Sequence, residues 1–228
     1  MISTLEKEIT FRFLKARKKD GFLNVISIFS FIGISLGVAV LIIVMSVMNG
    51  FRTELINKIL GFNPHITVKT YGSPIDENKI NKKNLVSISE NIILSNSGEA
   101  IILKNDISKG IVLRGYKNED FSSLEIVKNE KFKGKKDQLN RNFISIGNEL
   151  SFSLDLKIGD ELTLLSPSGV ETIIGSMPKQ KTFLVTSIYN SGLAEFDNNI
   201  AFINLRTLED FFDFKSEDRN LEIYLKKP

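Results

Sequence analysis

The residue types that carry enzyme chemistry are thinly spread in this chain. A single histidine, His65, and no cysteine occur among 228 residues, which removes thiol nucleophiles, thiolate-held metals and multi-histidine metal sites. No Gly-x-x-x-x-Gly-Lys-Ser/Thr run is present to cradle a nucleotide's phosphates, and no His-Glu-x-x-His pair to hold zinc. Ser145 and Lys157 could be imagined as a nucleophile and its base, but in a chain this rich in Ser and Lys such pairs arise by chance. The acidic pairs Glu119-Asp120 and Glu217-Asp218 sit in polar stretches and read as solvated surface. His65 follows a proline and opens a strand, a place for a structural role. The residues argue against catalysis and leave recognition through non-covalent contact.

The element that must organise such contacts runs from Asn24 to Met48 without a single Asp, Glu, Lys or Arg. At 1.5 Å per residue, about 25 such residues exceed the roughly 30 Å hydrocarbon core of a bilayer. A transmembrane helix is expected, against the alternatives of a buried core helix or an uncleaved signal sequence. Arg12, Lys15, Arg17, Lys18 and Lys19 crowd before the span, whereas Arg52 and Glu54 follow it. Retention of basic flanks predicts a cytoplasmic N-terminus. Beside a bilayer those cations find anionic lipid headgroups rather than nucleic acid. Within the span, Gly33 and Gly37 make a small-xxx-small pair that Ser30 extends, a face along which another helix can pack closely.

The net charge of +3 and a mean hydropathy near zero fit one span plus an ordinary domain. The expected organisation is a cytoplasmic amphipathic lead-in over residues 1–21, with Leu5, Ile9 and Phe13 at i, i+4 and i+8, then a span over 22–50. A stalk helix follows over 51–62, where Phe51, Leu55 and Ile59 continue the periodicity until Gly61 and Asn63-Pro64 stop it. Residues 63–228 read as a mixed α+β domain. Its expected strands are Ile66–Lys69, Ile92–Leu94, Glu99–Leu103, Gly110–Gly115, Asn142–Ile146, Leu162–Leu165, Thr182–Tyr189, Ile200–Asn204 and Leu221–Leu225. A turn is expected at Ser166–Gly169, a mobile charged stretch at Leu124–Lys135, a helical turn at Gly147–Asp155 and a short helix at Leu205–Phe212. An unbroken span and stalk would transmit motion across the membrane rather than merely tether a domain.

Several stretches together resemble one family. Gly37–Val68, GVAVLIIVMSVMNGFRTELINKILGFNPHITV, is similar to the first helix and stalk of the lipoprotein-releasing permeases, LolC and LolE, and Ser46–Phe51 (SVMNGF) is its most specific part. Glu6–Ser27 resembles their lead-in. Gly110–Leu124, Ile144–Gly169 and Ser191–Phe212 resemble their distal domain, in the same order.

The resemblance implies a permease of the MacB-like class of ABC transporters in a bacterial inner membrane, its main domain periplasmic. Its partners would be a LolD-type ATPase, a second LolC/LolE-type permease or a second copy, triacylated lipoproteins and a LolA-type carrier. ATP and Mg would be bound by the ATPase, with no cofactor in this chain. Acyl chains lodging near the periplasmic end of the first helix point to Val40, Val44, Met45, Val47 and Met48; those side chains could equally face bulk lipid or another helix. A carrier-binding hook with a basic pad matches Gly169–Phe183. Ile173, Ile174 and Met177 would be its apolar contacts, Gly175 and Pro178 would shape its turn, and Gln180 and Lys181 would form the pad. A hairpin packed back on its own domain is the alternative. The family pattern has three further helices, and no second apolar run precedes Pro228, so the chain is expected to be an N-terminal portion that cannot transport alone. Other possibilities are a MacB-like efflux or FtsX-like permease, which lack hook and pad, and a single-span binding or sensor domain. Which of the LolC, LolE or homodimeric roles applies stays open.

Overall fold

The computed structural model describes residues 3–14, 21–70, 75, 82–104, 107–172 and 175–228. It divides into two compact units, Met1–Leu55 and Ile56–Pro228. The first holds helix α1 (Thr4–Leu14) and most of helix α2 (Gly21–Phe62). α1 begins with a reciprocal cap: the Ser3 amide donates to the Glu6 carboxylate at 2.8 Å and the Glu6 amide to Ser3 Oγ at 3.3 Å, which satisfies two otherwise orphaned donors. The remainder of the expected lead-in, residues 15–20, lies outside the described residues.

α2 has 42 residues and no proline, so nothing in its sequence interrupts the hydrogen-bond ladder. Its apolar stretch is long enough to cross a membrane by length and composition, and its side chains there are exposed.

The second unit is α+β, as expected. Its strands are β1 (Ile66–Val68), β2 (Ser89–Lys104), β3 (Ile107–Tyr116), β4 (Lys133–Gly134), β5 (Phe143–Gly147), β6 (Glu161–Thr172), β7 (Gly175–Tyr189), β8 (Ile200–Asn204) and β9 (Asn220–Leu225). They form one sheet in the order β1-β9-β2-β3-β8-β5-β7-β4, with β6 bridging β2 and β7. β3–β8 and β5–β7 are parallel and the other pairs antiparallel. Short helices fill the connections: α3 (Lys82–Ile88), α4 (Asn118–Ser123), α5 (Glu125–Lys128), α6 (Asn148–Ser153), α7 (Ala194–Asn199) and α8 (Leu205–Phe212).

α8 is strongly amphipathic. Leu205, Leu208, Phe211 and Phe212 are buried on one side, and Asn204 caps its start by accepting from the Arg206 amide at 3.1 Å. The Phe212 ring lies where a Cβ on Gly98 would come within 2.7 Å, so β2 must be bare there for α8 to seat. Arg219 holds Glu209 through two bonds of 2.6 and 2.8 Å, tying α8 to the entry of β9. One core cluster joins Ile102, Leu113, Ile144, Leu164, Phe183 and Leu208. A second, largely aromatic, joins Phe62, Tyr116, Phe121, Tyr189 and Phe202.

Three expectations are corrected. The segments Ile92–Leu94 and Glu99–Leu103 belong to the single 16-residue strand β2. Leu124–Lys135 is ordered as α5 and β4, because Leu124, Ile126, Val127 and Phe132 reach the aromatic cluster; the charges between them face solvent and hid the apolar pattern. Ser166–Gly169 is no turn. β6 continues to Thr172, and the four residues form an irregularity in which Ser166 pairs with Lys179 and Gly169 with Pro178, two residues bulging from β6.

Candidate functional site

Three places gather residues that could act on a partner: the end of α2, the β6–β7 ribbon, and the apolar part of α2. The end of α2 is a socket. Gly61 and Pro64 end the helix, and between them Phe62 turns into the domain, 4% exposed. Its ring stacks on Phe196 at 4.7 Å and meets Tyr189 and Phe202 at 5.8 and 5.9 Å. The Arg114 guanidinium lies 5.2 Å over the same ring and donates to Asn63 Oδ1 at 2.7 Å. The Lys58 stem packs where a side chain on Gly192 would stand, and Gly192 has the left-handed φ of 74°. His65 follows directly: its amide donates to the Ile223 carbonyl at 3.1 Å, and its Nδ1 accepts from the Leu225 amide at 2.7 Å. Its role is structural, stitching the chain after the helix to β9.

Behind the socket, the carboxylate of Glu222 on β9 accepts three hydroxyls, from Ser95 at 2.6 Å, Tyr116 at 2.9 Å and Tyr224 at 3.1 Å. Burial pushes the Tyr116 and Tyr224 phenols above their ordinary values, with the neighbouring Glu222 charge adding to it. This is a satisfied polar cluster inside a sheet, with every carboxylate oxygen used to hold strands together.

The ribbon is the part of the hairpin that outruns the sheet. β6 meets β2 only through Thr163–Leu165, and β5 meets β7 from Leu184 onward. Beyond those points, among the described residues, β6 and β7 pair only with each other. Of the residues expected at its tip, Ile173 and Ile174 lie outside the described residues. Gly175 opens β7, Met177 is 63% exposed, and Pro178 and Gln180 are exposed. Lys181 is half-buried, its ammonium 5.6 Å over the Phe183 ring. Burial lowers its pKa, the Asp210 charge opposes that shift, and Arg141 adds to it. Adjacent strand residues face opposite sides, so Gln180 and Lys181 stand on different faces of the ribbon.

On α2, Val40, Val44, Met45, Val47 and Met48 are all exposed. At 3.6 residues per turn, Val40, Val44, Val47 and Met48 fall on one stripe, which prolongs the face of Ser30, Gly33 and Gly37. Met45 stands roughly 100° round the helix from Val44. Nothing lies within 4 Å of a Cβ placed on Gly33 or Gly37, so that face is open to another helix.

The remaining chemistry-bearing residues do not converge. Ser145 is fully buried in β5, whereas Lys157 is exposed and its amide donates to Asp160 in a surface turn. Gly33-Ile34-Ser35-Leu36-Gly37 spells Gly-x-Ser-x-Gly, yet it lies inside α2 and not at the strand-to-helix turn that presents a nucleophile. No cluster of metal-ligating side chains occurs among the described residues. Sequence reasoning missed Phe62 and Arg114 as a pair, because the aromatic partners that define their socket lie more than a hundred residues from Phe62 along the chain.

A helix long and apolar enough to cross a membrane and a sheet domain with a projecting two-stranded ribbon define the class of protein. The family model for the MacB-like periplasmic core domain matches residues 27–228, and the chain belongs to that family. Among curated relatives, the "Lipoprotein-releasing system transmembrane protein LolC" of Neisseria meningitidis serogroup B is 29% identical over 99% of this chain and 55% of its own length. The protein LolE of Haemophilus influenzae is 26% identical over 96% of this chain and 55% of its own. These relatives bear out the resemblance to the LolC and LolE permeases. The chain spans about half the length of the curated relatives it matches. Among solved structures, the periplasmic region of MacB from Actinobacillus actinomycetemcomitans is 11% identical, with a TM-score of 0.45, over 71% of this chain and 73% of that one. The extracellular domain of the transporter YknZ from Gram-positive bacteria is 14% identical, with a TM-score of 0.42, over 71% and 84%.

Proposed function

We propose that this chain is the N-terminal part of an inner-membrane permease that releases lipoproteins and hands them to a periplasmic carrier. α2 crosses the membrane with the basic lead-in on the cytoplasmic side, since short basic flanks are retained there. The sheet domain stands in the periplasm. ATP is hydrolysed by a separate LolD-type subunit, and a second permease packs against the open Gly33–Gly37 face. Acyl chains of the departing triacylated lipoprotein rest on the stripe of Val40, Val44, Val47 and Met48 with Met45 beside it, where unbranched Met side chains adapt to varied packing. The Phe62 socket makes the last turn of α2 move with the domain, so that displacement of the helix is passed on and not absorbed by a loose linker.

The observation that carries this reading is the β6–β7 ribbon, a two-stranded projection with an exposed Met177, in a chain similar to LolC along nearly its whole length. An exposed apolar side chain on a projecting ribbon fits capture by a partner. The test replaces Ile173–Pro178 by a short Gly-Ser turn in the full-length protein and measures transfer of lipoprotein from spheroplasts to a LolA-type carrier. Loss of transfer, with the protein still abundant in the membrane, is expected. Undiminished transfer would exclude the hook assignment.

A further inference from the structure

An isolated two-stranded ribbon is marginally stable in water, so a projection that must meet a partner in one orientation needs something to hold it. The alternation along β7 shows what does. Val185 and Phe183 point into the core, and with a side-chain period of two Lys181, Lys179 and Met177 continue that same row beyond it. Leu184, Thr182, Gln180 and Pro178 form the opposite row. In the first row, Lys181 covers Phe183. Lys179 reaches the end of α8, where its ammonium pairs with the Asp213 carboxylate and donates to the Asp210 carbonyl at 3.3 Å.

That end of α8 is a built receptor for a cation. Asp213 caps the helix in the left-handed conformation, with φ of 58°, and the unpaired carbonyls of a last turn carry partial negative charge. α8 itself does not move freely, because six of its eight residues are buried and Glu209 is held by Arg219. The β6 irregularity falls opposite the same place: Ser166 pairs with Lys179 and Gly169 with Pro178. A bulge bends a strand and raises its twist, so the bend and the tether coincide.

We propose that Lys179 is the positioning residue of the hairpin: held at the C-terminal end of α8 by Asp213 and the Asp210 carbonyl, it fixes the direction in which the bent β6–β7 ribbon leaves the sheet. The ribbon has one row tied to the domain and one row, Pro178 and Gln180, left for the partner, with Met177 at the outer end. The second half of this statement rests on the carrier reading above; the tether itself does not.

This chain holds no cysteine, and any in the remainder of the full-length protein are replaced by serine before labelling. In the full-length protein, nitroxides are attached at Glu171→Cys and Arg206→Cys, and the distance distribution is measured by pulsed electron paramagnetic resonance. Carrier affinity is measured separately on the unlabelled protein. The wild type gives one narrow distribution. Lys179→Met loses it to a broad one, and Lys179→Arg restores it. Asp213→Asn, which keeps a residue tolerant of the left-handed conformation, resembles Lys179→Met, and the double variant is no worse than either. If the anchored fraction falls to a few tenths, carrier binding weakens about two- to fivefold. A narrow distribution unchanged in Lys179→Met overturns the proposal. A broadened distribution in a protein whose wild type does not bind the carrier upholds the tether and removes the carrier reading instead.

Discussion

Truncating Phe62 to alanine probes the joint on which the proposed mechanical coupling depends. The side chain is 4% exposed, stacked on Phe196 and covered by Arg114. Removing a buried phenylalanine costs about 3–5 kcal/mol through lost transfer energy and the cavity left behind. The contact with Arg114 accounts for about 0.5–2 kcal/mol of that range. In a domain of this size each kcal/mol moves the unfolding midpoint by about 2–4 °C, so Phe62→Ala should lower it by roughly 6–20 °C. Calorimetry on the detergent-solubilised protein suits a chain without tryptophan. Phe51→Ala on the same helix is the control, because Phe51 is 65% exposed, and its midpoint should stay within about 2 °C of wild type. Below its own midpoint, Phe62→Ala should still transfer lipoprotein more slowly than wild type, since the last turn of α2 no longer moves with the sheet. A midpoint loss no larger than the control's, or full transfer with the expected loss of stability, would refute the coupling argument.

Two further perturbations test the interior. Gly147→Ala drives a Cβ into the Asp197 backbone, which belongs to α7 and cannot swing aside; a cost at or above the usual roughly 1–3 kcal/mol of overpacking is expected, read as a lowered midpoint or lost yield. Asp197 is buried and accepts from the Ser191 amide at 2.8 Å, and burial raises its pKa despite that bond. The folded chain then holds the proton to higher pH than the unfolded chain, so wild-type stability falls as pH rises from the ordinary carboxylate value through the raised one, and levels off above it. Asp197→Asn keeps the acceptor and removes the titration. Its stability relative to wild type should grow in denaturant titrations as pH rises above the ordinary carboxylate value, and a difference independent of pH would contradict the assignment.

What was legible in the sequence was what local periodicity encodes. The apolar run before Met48, the strand at Ile200–Asn204 and the helix at Leu205–Phe212 follow from patterns of adjacent residues, and the structure has them. Leu124–Lys135 was not legible, because its few apolar residues are scattered among lysines and glutamates and declare themselves only against Phe121 and Phe202. Ser166–Gly169 carries turn-forming residues, yet β7 supplies partners on either side of them, so the strand persists through a bulge. The hairpin was legible as a resemblance. That Lys179 is turned onto the end of α8 was not, since Asp210 and Asp213 lie some thirty residues further on. The same holds for Phe62: its position before Pro64 marks a helix end, but only the folded sheet supplies Tyr189, Phe196 and Phe202 around it.

The handover of lipoprotein to a carrier is tested most directly by photocrosslinking from Met177. A photoreactive analogue is placed there in the full-length protein in its own membrane, with Ser123, distant in sequence, as the comparison position. A crosslink to the LolA-type carrier from Met177 and none from Ser123 is the predicted result. No carrier crosslink from Met177, with the protein folded and abundant, would contradict the account and move the chain to a MacB-like permease that does not use this ribbon to hand over its cargo.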